Sequence, residues 1–492
     1  MAIDPLPNII TRYAPSPTGF QHIGGMRTAL FAFLFAKKYN GTFILRIEDT
    51  DKSREVQGAI QHTIDALTWL GITYDFGPDK PSPVFGSCLQ SDRLSIYKKY
   101  AERLVAKGLA YPDPYTNEEV AVWREQAQVE KRPFLYRNHR PDTLREWDGT
   151  TALRFKVDEV KRYEWIDEVR GKLSAGEEAL DDFILIKADG YPTYNFAHIV
   201  DDLEMSVTHI MRGEEFISST PKFLSLYDAL EIPYPIFVTL PPIMGPDGKK
   251  KLSKRDGAKD LLVYRNEGYL PEAMRNFLAL IGWNPGGEQE IFPDDQLLKA
   301  FSLERIQKSG GAFNEEKLQW MNREYLKTKP MTLRQTYFID ALPAGTKALP
   351  QYSAERANRL TNVALERAHT KTEINTRAMA GEYDWAFTTP AVKMENIKWK
   401  NDVSVITVLP RLSSVHSLLN NAADADFSNP DTIKTIIWSY AEEQGRGEVL
   451  WPLRVCLTGR EQSPDPFTCI FVLGKDEACS RIQTVIDKLA DV

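Results

Sequence analysis

The chain has 492 residues, 42% hydrophobic and 26% charged, enough to bury several cores and to divide into about three to five domains. Its net charge of −7 argues against indiscriminate binding of nucleic acid, because a polyanion is drawn by summed positive field, so any RNA has to be held by local basic patches. The longest strongly apolar run, Ala29 to Ala36, is far short of the roughly 18 residues a membrane span needs, and no basic-then-apolar leader opens the chain, which predicts a soluble cytoplasmic protein without a membrane partner.

The first stretch reads as a βαβ unit. Asn8 to Tyr13 is β-rich, Gly24 to Tyr39 is helical, Asn40-Gly41 turns, and Thr42 to Ile47 is β again, which predicts a parallel sheet. Helical spacing follows over Glu55 to Leu70 and Ser91 to Lys107. From about 106 to 189 the pattern changes to short strands and charged segments, with a basic cluster at Lys131, Arg132, Arg137, His139, Arg140 and Arg145, and reads as an inserted domain.

The nucleotide-fold pattern resumes with a strand at Phe183 to Ala188 and a turn at Asp189-Gly190. It continues through strand-like Ser206 to Met211, helical Ser219 to Leu230 and strand-like Ile236 to Leu240, so the two halves are expected to share one sheet. Beyond 250 the spacing is mostly helical, including Pro271 to Ile281, Glu315 to Tyr325 and Ser353 to His369. Four cysteines, Cys88, Cys456, Cys469 and Cys479, stand far apart with no Cys-x-x-Cys pair, which fits reduced thiols rather than a disulfide framework or a zinc site.

Three segments could carry chemistry. Arg12-Tyr-Ala-Pro-Ser-Pro-Thr-Gly19 leaves the first strand, and His22-Ile-Gly-Gly25 opens the next helix. Free N–H groups, a positive dipole end, glycines that admit phosphate and a donating histidine would make an ATP cradle. The same residues also suit a tight turn with a solvated histidine. Gly245-Pro-Asp-Gly-Lys-Lys-Lys-Leu-Ser-Lys-Arg255 is a lysine loop whose mobile ammonium groups could stabilise charge on a leaving pyrophosphate, or simply a solvated surface loop. Glu48-Asp-Thr-Asp51 and Arg212-Gly-Glu-Glu215 follow strands, where open α/β sheets place their ligand crevice, though either could cap a turn.

Taken together, Arg12-Tyr-Ala-Pro-Ser-Pro-Thr-Gly, His22-Ile-Gly-Gly-Met-Arg-Thr-Ala-Leu and Leu45-Arg-Ile-Glu-Asp-Thr-Asp51 resemble the opening of glutamyl-tRNA synthetases almost residue for residue. The resemblance runs on through Gly190-Tyr-Pro-Thr-Tyr-Asn-Phe-Ala, Val200-Asp-Asp202, Ile210-Met-Arg-Gly-Glu-Glu215 and Lys251-Leu-Ser-Lys-Arg255. It reaches Pro452-Leu-Arg-Val-Cys-Leu-Thr-Gly459, Ser463-Pro-Asp-Pro466 and Leu473-Gly474, and so covers the whole chain.

It implies a multidomain α/β plus all-α protein. A Rossmann-like class I catalytic domain (1–105 and 190–250) would carry an inserted α/β acceptor-stem domain (106–189). A helical stem-contact region with the lysine loop (251–325) and an all-helical anticodon-binding region (326–492) would follow.

By the same resemblance, His22 and Lys254 are catalytic, and Pro15, His22, Gly24, Gly25, Glu215, Lys251, Ser253, Lys254 and Arg255 hold ATP. Arg12 would take the side-chain carboxylate of glutamate, Arg212 its α-carboxylate and Glu48 its amino group, with Ala14, Ser16 and Tyr194 lining the pocket; the role of His198 is left open. A guanidinium without its counter-charge would reject glutamine, so no editing domain is needed. Some relatives carry zinc-binding cysteines in the inserted domain, but Tyr111-Pro-Asp-Pro-Tyr115 stands there without cysteine, so no zinc is expected. Magnesium is implied by ATP chemistry and by no ligand motif.

The reaction implied is attack of the glutamate α-carboxylate on the α-phosphate of ATP, then transfer to the 2′-hydroxyl of the terminal tRNA adenosine. The family implies a monomer that needs tRNA before activating glutamate. Trp385, Arg411 and Trp438 are candidate readers of splayed anticodon bases, with core packing as the alternative for the tryptophans. Glutaminyl-tRNA synthetases typically end in β-barrels where this tail reads helical. A non-catalytic RNA-binding relative would show damage to the histidine or lysine motif, and a small nucleotidyltransferase would leave the C-terminal half unexplained.

Overall fold

The βαβ opening forms as its residues dictate. Strand β1 (Ile10–Tyr13) and strand β2 (Thr42–Leu45) pair in parallel across helix α1 (Ile23–Lys38), which buries Met26, Leu30, Phe31 and Phe35. His22 caps α1 through its side chain, and Lys37 and Lys38 lie in the last turn, where they complement the helix dipole. The turn back to β2 uses Asn40 at φ 54°, then Gly41, where a Cβ would lie 2.1 Å from the Ile9 carbonyl oxygen. Only glycine fits that crossing.

The computed structural model describes residues 8–143, 145–252, 259–400 and 402–491. They belong to two units, Met1–Asn266 with Leu270–Leu318, and Glu267–Tyr269 with Gln319–Val492. Among the described residues no helix is long and apolar enough to cross a membrane. The four cysteines are buried and free.

In the first unit, helices α2 (Ala59–Trp69) and α3 (Leu94–Ala106) follow the opening. Strand β3 (Ala110–Pro112) and helix α4 (Asn117–Val129, with a Thr116/Glu119 capping box) come next, then strands β4 (Leu153–Phe155), β5 (Tyr163–Asp167), β6 (Gly171–Ala175) and β7 (Ile184–Ile186). Helix α5 (Tyr194–Glu204), strand β8 (His209–Gly213), helix α6 (Thr220–Leu230), strand β9 (Ile236–Leu240) and strand β10 (Ile243–Met244) follow. The main sheet has the order β2-β1-β8-β9-β5-β6, parallel except for the β5–β6 hairpin.

Two assignments differ from the pattern reading. Strand β7, expected to resume the nucleotide fold at Phe183, pairs antiparallel with β4 in a separate sheet of order β3-β4-β7. Strands β5 and β6, expected in the insert, extend the main sheet. The cause is Asp167: its carboxylate accepts from the Val169 and Arg170 N–H groups to make the hairpin turn and from the Thr239 hydroxyl of β9 at 2.6 Å. The Glu168 N–H continues the join by donating to the Phe237 carbonyl.

The described part of the second unit is helical throughout, with α7 (Met331–Ala341), α8 (Ala354–Arg367, capped by Ser353), α9 (Leu409–Asn421) and α10 (Lys475–Ala490) among its helices. Arg481 of α10 is buried inside it. Its guanidinium donates to the carbonyls of Trp385, Leu457 and Thr388 and to Gln351, and pairs with Glu477 at 2.6 Å. Removing it strands three carbonyls and a carboxylate, so Arg481→Met is expected to lower stability in urea unfolding by about 3–5 kcal/mol.

Candidate active site

Strand order sets the place of the site. The chain leaves β1 towards β2 on one side and β8 lies on the other, so a crevice opens at the carboxyl ends of β1 and β8, the switch point of the sheet. Arg12 and Arg212, near the ends of these strands, face a cavity of about 420 Å³, together with Ala14, Ser16, Glu48 and Tyr194. All six expected glutamate residues thus line one space. Thr28, Arg54, Met211 and Phe216 line it too; Thr28 and Met211 fall within the signature segments but had no role assigned, and Arg54 and Phe216 carried no motif signal.

The two arginines differ in their surroundings. Arg12 is already paired: its Nε and Nη2 donate to the two carboxylate oxygens of Asp202 at 3.0 and 3.3 Å. The expectation that glutamine would leave Arg12 without a counter-charge is therefore corrected, because Asp202 supplies one from α5. Arg212 has no such partner. Its Nη2 donates to the Thr220 hydroxyl at 2.9 Å, its buried Nη1 has no hydrogen-bond partner among the described residues, and its guanidinium lies 5.0–5.6 Å from the ring centres of Phe216, Phe223 and Phe237. Burial lowers its pKa, yet it stays a cation at neutral pH.

Glu48 is buried against Arg46, whose Nη2 donates to it at 3.1 Å. Burial raises its carboxyl to about 7, against the lowering pull of Arg46 and Arg12. Below that pH the group is neutral and cannot pair with an ammonium. KM for an amino-acid substrate is therefore expected to fall about fivefold as pH rises from 6 to 7 and to level off by about pH 8, a dependence that Glu48→Gln abolishes. Since the folded pKa lies above the ordinary 4.5, this group lowers stability as pH rises between those values.

His198 lies behind the pocket, buried and held near 3 by that burial, so its ring is neutral. It stacks on Tyr194 at 4.6 Å and sits edge-on to Phe223 at 4.5 Å. It supports the wall and does not form it.

A second cavity of about 440 Å³ shares Tyr13, Ser16, Thr28, Gly213 and Glu215 with the first. Pro15, His22, Gly24, Gly25, Glu215 and Lys251 all line it. His22 Nδ1 accepts from the Gly24 N–H at 3.0 Å, so in the neutral ring the proton sits on Nε2. At Gly25 a Cβ would lie 2.5 Å from the Tyr13 hydroxyl, which donates to Gln21 at 2.7 Å; glycine lets the helix start close against β1. Lys251 pairs with Glu215 at 3.2 Å across the mouth. Arg27, which the motif reading passed over, also lines the cavity and donates to the Pro241 and Ile281 carbonyls.

The class I tRNA synthetase (E and Q) catalytic domain matches residues 8–320, and an anticodon-binding domain matches residues 311–486. A curated protein from Clostridium botulinum named glutamate–tRNA ligase is 38% identical over 97% of this chain and 98% of its own length. One of the same name from Francisella philomiragia is 35% identical over 98% and 100%. The chain belongs to the glutamate–tRNA ligase family. A crystal structure of a glutamate tRNA ligase from Elizabethkingia meningosepticum, in complex with its amino acid, superposes with TM-score 0.84 at 34% identity, covering 98% of this chain and 100% of that one.

For a glutamate–tRNA ligase the signature lysine loop matters, and Ser253, Lys254 and Arg255 lie outside the described residues. The basic cluster of the insert is partly used up by the fold: Arg140 pairs with Asp182 at 2.6 Å, Arg137 donates to the Leu180 carbonyl, and His139 stacks on Trp123. Lys131, Arg132 and Arg145 remain exposed. In the second unit Trp385 is core and Arg411 pairs with Asp402, whereas Trp438 is half-buried between Lys434 and Arg446. Among the described residues no three His, Cys, Asp or Glu side chains converge on a metal position.

Proposed function

We propose that the chain activates glutamate with ATP to glutamyl-adenylate and pyrophosphate, then transfers the glutamyl group to the 3′-terminal adenosine of tRNA. The observation that carries this reading is a charge imbalance. Among the described residues, the buried guanidinium groups of Arg12 and Arg212 at the smaller cavity and of Arg46 and Arg93 behind it are matched by three buried carboxylates, those of Glu48, Asp201 and Asp202. The site is one cation in excess. Glutamate, with two carboxylates and one ammonium, brings the missing negative charge, and glutamine does not. A buried cation left unmatched costs several kcal/mol, enough for discrimination without editing.

In this reading Arg212 takes the α-carboxylate, Glu48 the ammonium and Arg12, through its Nη1, the side-chain carboxylate. ATP lies in the adjoining cavity, with His22 and the N–H groups of Gly24 and Gly25 on its phosphates. Any magnesium travels on the triphosphate. An α-carboxylate oxygen then forms a bond to the α-phosphorus as the bond to the pyrophosphate oxygen breaks. Both nucleophile and leaving group come from substrates, so the protein supplies position and field.

The test is ATP–pyrophosphate exchange with glutamate or glutamine, each with and without total tRNA. Exchange that requires glutamate and tRNA is expected. Exchange driven by glutamine would overturn the charge argument.

A further inference from the structure

We infer that Arg46 is a positioning residue for glutamate recognition: from behind the pocket its guanidinium bridges Asp202 and Glu48 and so aims Arg12 and Glu48 together. This rests on the roles proposed above for those two residues. Arg46 lines neither cavity and is fully buried. Its Nη1 donates to Asp202 Oδ1 at 2.6 Å and its Nη2 to Glu48 Oε1 at 3.1 Å. The same Asp202 oxygen accepts from Arg12 Nε at 3.0 Å. One side chain therefore links the group proposed for the ammonium to the counter-ion of the group proposed for the side-chain carboxylate.

The remaining edge of Arg46 faces a third acid. Nε has no hydrogen-bond partner among the described residues but lies 3.8 Å from Asp201, which in turn is gripped by Arg93 at 2.8 Å, by Tyr97 and by Gln90. The guanidinium cannot rotate away without leaving two buried carboxylates short of charge. A planar fork suits this bridge, and a lysine ammonium, being a single point charge, cannot reach both acids in the same way.

The electrostatics run through Glu48. The charged and titratable groups that face it are Arg46 beside it in the chain, Arg12 from β1, and Asp202 and Tyr194 from α5. Asp202 is held well below the usual carboxylate range, in spite of burial, by Arg12 and Arg46. It stays negative whatever Glu48 does. Without Arg46 the Glu48 carboxylate loses its nearest cation and keeps Asp202 as an anionic neighbour, so its proton is held more tightly. The ammonium of the substrate then meets a neutral acid.

The experiment measures KM for glutamate and for ATP in tRNA-dependent exchange between pH 6 and 8.5, using the full-length chain, Arg46→Met, Arg46→Lys, Glu48→Gln and the Arg46→Met/Glu48→Gln pair. Arg46→Met is expected to raise KM for glutamate at least about tenfold at pH 7, to leave KM for ATP within about twofold, and to move the pH dependence up by about one unit. Arg46→Lys, which keeps the charge, should move the profile in the same direction by less and serves if the methionine variant does not fold. In the Glu48→Gln background Arg46→Met should raise KM for glutamate by less than it does alone, since only the part that acts through Asp202 and Arg12 remains.

An unmoved pH profile in both Arg46 variants, or additive effects in the double variant, would overturn the inference. If Glu48→Gln itself leaves KM for glutamate unchanged, the role given to Glu48 fails first, and the inference with it.

Discussion

Arg212→Met is expected to lower kcat/KM for glutamate by about a thousandfold, roughly 4 kcal/mol, while the melting temperature stays the same or rises. The two effects separate because of how Arg212 is built in. It is buried, one Nη has no partner among the described residues, and Phe216, Phe223 and Phe237 surround the guanidinium where an acid would stand in a structural ion pair. An uncompensated buried cation is a cost to the fold, so an apolar side chain of similar length relieves it. The substrate carboxylate that would offset that cost loses its partner. Arg212→Lys should recover little, since an ammonium cannot donate to Thr220 and to a carboxylate in the fork geometry of arginine. Stability is read by thermal unfolding and activity by tRNA-dependent exchange. A large loss of melting temperature, with KM for glutamate unchanged, would show that Arg212 serves only packing.

His22→Ala is expected to lower the rate of exchange by about a hundred- to a thousandfold, and to cost about 1 kcal/mol of stability. His22 has two tasks that a second variant can part. Its Nδ1 closes the first turn of α1 by accepting from the Gly24 N–H, and its ring lines the cavity proposed for ATP. Asparagine is a good helix cap, so His22→Asn should restore most of the stability, yet it places no ring at the distance of Nε2 and should leave the rate low. If both variants lose activity only in proportion to stability, the histidine is a cap and no more.

Much of the site was legible because its parts are consecutive. Arg12 to Gly19 and His22 to Gly25 form one strand, loop and helix start, so their order along the chain is nearly their order in space. Residues of both segments line two adjoining cavities, which is what their consecutive placement predicts. What escaped was set by residues far apart. Asp202 stands 190 positions from the Arg12 it neutralises, and nothing in Val200-Asp-Asp202 says which arginine it meets. Arg27 sits on an otherwise apolar helix, where spacing marks it only as an exception to the pattern; its partners are carbonyls of Pro241 and Ile281.

Hydrophobic periodicity, the turn at Asn40-Gly41 and the signature motifs were enough by themselves to establish the parallel βαβ opening, the helical C-terminal part and the family. These depend on neighbours in the chain, on local backbone preference and on an ordered set of residue types. Which sheet a short strand joins is a different kind of question. β5, β6 and β7 are only three to five residues long, and their destinations were decided by the hydrogen bond that Asp167 accepts from Thr239 of β9 and by the pairing of β7 with β4. The charge state of the pocket was decided in the same way. Only the tertiary structure brings four arginines and three carboxylates together out of water, where an unmatched charge is costly.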